Sequence, residues 1–505
     1  MQWSVAVGPT MTGQQQATTV GQLPTPASSE SRVPTVLTRI VWALLVASLG
    51  VAAFFGWRGD GWELTGLFAV DGLTVVMWVT VTFFSGIVHS YSRRYMAGNR
   101  TIDRFFGRVF AFTLVVMVLV AADSIVLFGI AWLAMGLVMA DLIGHAADWP
   151  QADAAARLAR RYFLTSSGLL AVALATLWWQ TGATTVSGLA SAVGSLSSPV
   201  VLFAAGTLLL AAMIQSALVP FHTWLLSSMT APTPASALMH AGFVNAGGIL
   251  LVRFGPVVTV EPGFMILVVA VGAASALLGK LLKTVQTDIK TKLGCSTVGQ
   301  MGFMIMQVGL GFFAAAITHL VLHGFYKAYQ FLSSGSQVAH ETPKGKQASG
   351  STGPVGFVVI AITALACGIL FATLTGKGTA VDSGLLLTLL VVLTVLHAAR
   401  DIVSAASVPA TIRYGAVPLV ALPAIAVYAA VYRVIEGLLA DLPAAGQPAE
   451  LTVAHGLVAV AFLASYLAVE TGVYKHSQRL YVALVNATQP PSQTQLTSTE
   501  EYNEY

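Results

Sequence analysis

Apolar runs separated by short polar breaks follow one another along most of the chain. From Val33 onward they fall near 34–56, 66–92, 109–122, 124–144, 160–180, 198–226, 235–254, 263–283, 293–309, 313–338, 355–374, 383–399, 415–437 and 452–472. Runs of this kind suit helices crossing a hydrocarbon core of about 30 Å. The pattern predicts an all-α, polytopic membrane helix bundle of roughly 13–14 spans, the third and fourth nearly fused at Asp123. Residues 1–31, rich in Thr, Ser, Gln, Gly and Pro, read as a disordered tail, as does the polar, acidic stretch 487–505 with its paired prolines. The first tail lacks the charged start, apolar run and cleavage site of a signal peptide. Residues 32–486 form the expected transmembrane domain.

Charge tests that count independently, because Lys and Arg accumulate in short cytoplasmic loops. Arg93, Arg94, Arg100, Arg104 and Arg108 follow the second run, and Arg157, Arg160 and Arg161 the fourth. Lys280, Lys283, Lys290 and Lys292 follow the eighth, Lys344 and Lys346 the tenth, Arg400 and Arg413 the twelfth, and Lys475 and Arg479 the last. Every cluster follows an even-numbered run, which predicts both termini on the cytoplasmic side. The opposite loops, such as 181–197 and 438–451, are poor in Lys and Arg.

Composition narrows the class further. The 505 residues are 56% hydrophobic and 9% charged, with a mean hydropathy of +0.78 and a pI near 9.0. Soluble domains carry about 25% charged residues, so a water-soluble enzyme, a disordered chain and a nucleic-acid binder are excluded. The net charge of +4 reflects membrane orientation rather than an acidic partner. Cys295 and Cys367 stand in separate apolar runs and read as small buried hydrophobes.

Ionisable or kinked positions inside apolar runs are costly and mark transport paths. Pro220, in Gln215-Ser216-Ala217-Leu218-Val219-Pro220-Phe221-His222, lacks an amide hydrogen and frees a carbonyl near Ser216. Either a broken helix exposing carbonyls to an ion or water file, or a packing kink, fits it. His240 lies about two turns into a helix begun by Pro232-Thr233-Pro234, where a lone histidine is more often structural than a proton carrier. His319, His323 and Lys327 recur at four-residue steps on one helix face. Such a ladder belongs in the bundle interior or an aqueous cavity, where a lysine and neighbouring imidazoles can exchange a proton. Asp141, in the fourth run, is a further candidate, or simply an acid near a helix end. Asp71 and Asp123 sit near span ends as caps or topology markers, and Asp288 and Lys290 share a charged, solvated turn. HExxH, paired CxxC, GxxxxGK[ST] and strand-linked GxGxxG motifs are absent from the sequence. The chain reads as an ion-conducting module without chemistry of its own.

Ordered motifs then point to a family. They are Val70-Asp71-Gly72-Leu73, Tyr95-Met96, Pro220-Phe221-His222-Thr223-Trp224-Leu225, the run Ala231 to Ala241, Thr287-Asp288-Ile289-Lys290, Ser296 to Gly302 and His319 to Ala328. Together, over roughly 65–340, they resemble the antiporter-like subunits of respiratory NADH dehydrogenase and of Mrp cation antiporters. The resemblance implies two inverted five-helix repeats, each with a discontinuous helix, moving protons or sodium ions along a central polar axis. It also has departures. Leu133 follows Trp132 where the family has glutamate, and Gln215 replaces the lysine of the broken helix. Asp141, within about 80° of Leu133 on the helix, is a possible substitute. The family's second-half lysine stretch is not found beyond residue 350, where His397, Arg400 and Asp401 stand instead.

Such a divergent member looks most like the membrane subunit of the DAB inorganic carbon accumulation complex, the DabB family. That resemblance implies a large zinc-containing partner like a β-carbonic anhydrase (DabA type), driven by cation flow to make cytosolic bicarbonate in a bacterial inner membrane. No cofactor is expected in this chain itself. The competing readings are a subunit of a multi-subunit Na⁺/H⁺ antiporter or a respiratory or hydrogenase complex, and a proton-inert scaffold. The ion-path residues expected are Lys327, His323, His319, His240, Asp141, Gln215, His222, Asp288 and Lys290, with Pro220 at the break.

Overall fold

The computed structural model describes residues 31–337, 353–403, 409–443, 448–472, 477–489, 491 and 494. The first tail to residue 30, Lys344, Lys346, Lys475, the side chain of Asp401 and most of the second tail lie outside the described residues. Helices follow in the order α1 Val33–Arg58, α2 Gly72–Tyr95, α3 Ile102–Ala121, α4 Ile125–Ile143, α5 Pro150–Thr181, α6 Val186–Ala192, α7 Ser198–Gln215, α8 Thr223–Ser227, α9 Thr233–Ala241 and α10 Ala246–Arg253. The order continues with α11 Gly255–Thr259, α12 Pro262–Thr284, α13 Ile289–Gly309, α14 Phe313–Leu332, α15 Pro354–Thr375, α16 Gly384–Val403, α17 Ala410–Leu438, α18 Val453–Thr471 and α19 Gln478–Thr488. Between α1 and α2 lies a small antiparallel hairpin, β1 Trp62–Leu64 with β2 Phe68–Val70, paired Trp62 to Val70 and Leu64 to Phe68.

Among the described residues, eleven helical segments are long and apolar enough to cross a membrane, α9 and α10 counting as one. With α13, α14 and α16, of comparable length and packed among them, they match the fourteen expected runs. The bundle is a polytopic helical membrane fold. Boundaries differ from the hydropathy pattern for local reasons. Helix α2 begins at Gly72, not residue 66, because Asp71 caps it by accepting from the Thr74 amide and the preceding residues pair in the hairpin. Helix α5 begins at Pro150, so Arg157, Arg160 and Arg161 ride on the helix rather than in a loop. Lys280 and Lys283, expected after the eighth span, lie on the last turns of α12.

The run 198–226 is two helices. Helix α7 stops at Gln215 and α8 starts at Thr223; between them Ala217 takes a left-handed conformation. Trp224 spans the gap, its indole N–H donating to the Ile214 carbonyl at 2.9 Å, while Phe163 and Phe243 pack on its ring. The run 235–254 is also broken, at Gly242, with Asn245 Nδ2 donating to the Ala241 carbonyl at 2.8 Å. Nearly all of this segment is buried, whereas α1 and α18 keep most of their surface exposed. The α9–α10 pair is therefore a central strut.

Cross-helix contacts fix which ends share a rim. Arg253, ending α10, forms an ion pair with Asp71 and donates to the Val120 carbonyl at 2.6 Å, and the Gly72 amide donates to Asp441 beyond α17 at 3.1 Å. The opposite rim gathers Arg108, which donates to the Asp141 carbonyl at 3.0 Å, and the ends of α12, α16 and α18.

Candidate ion path

Two close helix approaches assemble the site. Gly272, Gly279, Gly299, Gly302 and Gly309 line the α12–α13 contact, where an added Cβ would strike the neighbouring backbone or its side chains; small residues let membrane helices pack backbone to backbone. Gly324 does the same for α14, facing the Ala241 carbonyl of α9 and the ring of Phe84. Because Gly324 lies between His323 and Lys327, this contact carries the α14 ladder to His240.

Lys327 is fully buried, and its Nζ donates to the Leu293 carbonyl at 2.9 Å. Thr297 Oγ1 donates to the same carbonyl at 3.0 Å. With its one proton so placed, Thr297 accepts from His240 Nδ1 at 3.0 Å. His240 accordingly carries its hydrogen on Nδ1 and presents a bare Nε2 with no protein partner. Its ring stacks on Phe331 at 4.3 Å between centroids, only 17° from parallel. One turn up α14, the His323 ring is buried with both nitrogens unpartnered. It stacks on His319 at 5.6 Å, whose Nε2 is likewise unpartnered. Buried polar atoms lacking protein partners call for water or a transported ion, so the line His319–His323–Lys327–Leu293–Thr297–His240 fits a hydrated proton path.

The remaining expected residues stand elsewhere. Gln215 is fully buried at the end of α7, both its amide atoms unpartnered, beside the equally unpartnered Ser216 hydroxyl. His222 Nε2 donates to the Ala487 carbonyl of α19 at 2.9 Å. Asp288 caps α13 by accepting from the Thr291 amide at 2.6 Å. Lys290 donates to the carbonyls of Met229 and Ala231 at 3.3 and 3.2 Å. Asp141 is not brought to the axis: it lies at the half-exposed end of α4, accepting from Arg160 at 2.7 Å. Asp123 binds the Ser187 amide and hydroxyl at 2.9 and 2.8 Å. At the Arg253 rim, burial tends to raise the Asp71 carboxyl, but Arg253 and Thr74 outweigh it and hold the group below its ordinary range. Sequence reasoning missed Thr297, which serves His240, and Arg253, which pairs with Asp71.

The family model described as the transmembrane region of NADH:quinone oxidoreductase/Mrp antiporters matches residues 122–412. The chain belongs to this family. A second model, for the N-terminus of NADH-ubiquinone oxidoreductase (complex I) chain 5, matches residues 60–106. Similar curated proteins include the "Probable inorganic carbon transporter subunit DabB1" of Halothiobacillus neapolitanus, 40% identical over 61% of this chain and 56% of that one. The corresponding DabB of Bacillus subtilis is 37% identical over 61% of this chain and 62% of its own. NADH-quinone oxidoreductase subunit L of Mycobacterium tuberculosis is 36% identical over 53% and 43% respectively. The chain spans about half the length of the first curated relatives it matches. Among solved structures, the Mrp complex from Dietzia sp. shares the fold, with a TM-score of 0.54 at 21% identity over 93% of this chain and 54% of that one.

Proposed function

We propose that this chain is the energy-coupling membrane subunit of an inorganic carbon accumulation complex. Protons, or sodium ions, move through it and drive a zinc-containing, carbonic-anhydrase-like partner to convert carbon dioxide into bicarbonate on the cytoplasmic side. The zinc and the hydration chemistry belong to the partner, and this chain supplies the ion path in a bacterial inner membrane with both termini cytoplasmic. The observation that carries the reading is the buried line of Lys327, His323, His319 and His240, polar groups whose neighbours are helix interior and whose free atoms suit water. Lysine and histidine both exchange protons, which favours H⁺ over Na⁺. The similarity to subunits named as inorganic carbon transporters supports the coupled reaction.

The test is gentle extraction from native membranes, identification of companions by mass, and a zinc assay on the complex. One large zinc-bearing companion is expected. A set of small, zinc-free membrane subunits would overturn the carbon reading in favour of an antiporter or respiratory assembly. The likeness to subunit L keeps that second reading open, while Leu133 and Gln215 weigh against it by removing a carboxylate and an ammonium.

A further inference from the structure

Outside the line just described, three helices meet through a second set of ionisable side chains. Lys280 on α12 donates through Nζ to His397 Nε2 on α16 at 2.8 Å. His397 Nδ1 contacts Glu470 Oε1 on α18, also at 2.8 Å. An ammonium offers only donors, so Nε2 accepts and the imidazole hydrogen lies on Nδ1, donated to the carboxylate. Arg400 forms an ion pair with the other Glu470 oxygen. Lys283 stands one turn beyond Lys280 on α12, and its charge acts on Lys327. The His397 side chain is one-third exposed and that of Arg400 nearly half, so the set reaches the rim where these helices end.

We propose that Lys280, His397 and Glu470 form a proton-exchange station joining the Lys327 line to the Lys- and Arg-rich aqueous side. It rests on the proton reading above. In the outward step Lys280 gives a proton to His397 Nε2 while the Nδ1 hydrogen passes to Glu470, leaving a neutral amine, the other imidazole tautomer and a carboxylic acid. Glu470 then releases its proton to water. The one-third exposed imidazole returns to its starting tautomer through water, losing the Nε2 hydrogen and regaining one on Nδ1, and Lys280 is reloaded from the interior. Every proton entering at Lys280 is matched by one leaving at Glu470, and the same contacts run in reverse for uptake. Arg400 holds the carboxylate in place without joining the transfer.

The test uses native membrane vesicles holding the complete complex, an imposed proton gradient and a trapped pH-sensitive dye. Glu470→Gln keeps size and a hydrogen-bond acceptor but cannot carry the proton; its flux is expected to fall at least tenfold with assembly unchanged. Arg400→Ala removes the ion pair and is expected to keep flux within about threefold. A merely structural cluster would instead lose assembly in both. Normal flux in Glu470→Gln, with flux abolished in Lys327→Met, overturns the station alone. Normal flux in both overturns the proton reading and the station with it.

Discussion

Lys327→Met separates stability from transport, because it should leave the first nearly unchanged and abolish the second. Lys327 is fully buried, and among the described residues its ammonium has one hydrogen-bond acceptor, the Leu293 carbonyl. Burying a charged group costs several kcal/mol, of the order of 3 or more, while one charged hydrogen bond returns about 1.5–3 kcal/mol. Methionine nearly conserves the volume, at a fitting cost below about 1.5 kcal/mol. The Leu293 carbonyl is not orphaned by the change, since Thr297 still donates to it. The balance lies between about 1.5 kcal/mol of lost and about 1.5 kcal/mol of added stability. Thermal unfolding of the detergent-solubilised complex, followed by size-exclusion recovery, should therefore show a midpoint close to that of the wild type. Proton flux should be lost. Alanine is the poorer probe, because the cavity it leaves costs about 2–5 kcal/mol and confounds the readout. A Met variant that loses more than about 2 kcal/mol would refute the claim that the lysine is under-compensated, and a stable variant with normal flux would refute its role in transport.

Thr297→Val preserves shape but leaves His240 Nδ1 without its acceptor; a loss of about 1–3 kcal/mol is expected, with flux reduced several-fold, and unchanged flux would remove Thr297 from the path. Asp71→Asn keeps the cap on α2 but strands Arg253, of which only 9% of the side chain is exposed, so a loss of about 3 kcal/mol is expected. Asp71→Asn with Arg253→Met should recover most of that loss, a double variant no better than the single one being the contrary result. Since the Asp71 carboxyl is held below its ordinary range, its contribution is complete above the unfolded-state value and disappears as pH falls through the folded one. The wild-type midpoint should therefore drop on acidification more than that of the double variant. Gly279→Leu would drive a side chain into the Gly299 backbone, and the expected result is loss of the assembled complex from membranes, whereas Gly263→Leu, with open space around it, should assemble normally.

The spans were legible because apolar runs long enough for a bilayer, repeated one after another, do not arise in a chain that folds in water. Their ends were less so: charged residues on a helix that emerges into water look like loop residues, which moved the start of α5 and the end of α12. The break at Pro220 was visible through its missing amide hydrogen, but the break at Gly242 was not, since Gly242-Phe243-Val244 is as apolar as the helices around it. In the site, four-residue spacing exposed His319, His323 and Lys327. Thr297 stayed hidden because a threonine in a helix ordinarily bonds its own preceding turn, and this one does so while also serving His240 from another helix. Asp141 shares a helical face with Leu133 in projection, yet its position at the helix end puts it within reach of Arg160 instead.

The two sides of the bundle differ in what they offer an ion. At the end of α7 stands Gln215, an amide that neither takes up nor releases a proton and whose two buried ends can only order water. Titratable groups stand on α9, α12, α14, α16 and α18, from His240 through the α14 ladder to Lys280, His397 and Glu470, and on α2 at the buried His89. On the proton reading proposed above, water near Gln215 and Ser216 would deliver a proton to the interior, and holding it against a gradient would fall to the lysines and histidines beyond. Coupling to a partner requires a place where the proton waits, because a continuous water file would dissipate the gradient without doing work. The Leu293 carbonyl, shared by Lys327 and Thr297, ties the lysine to the His240 bond, so movement of the Lys327 ammonium alters the site that His240 faces. On the proton reading proposed above, that shared acceptor would make α13 the element through which loading of the lysine acts on the central strut.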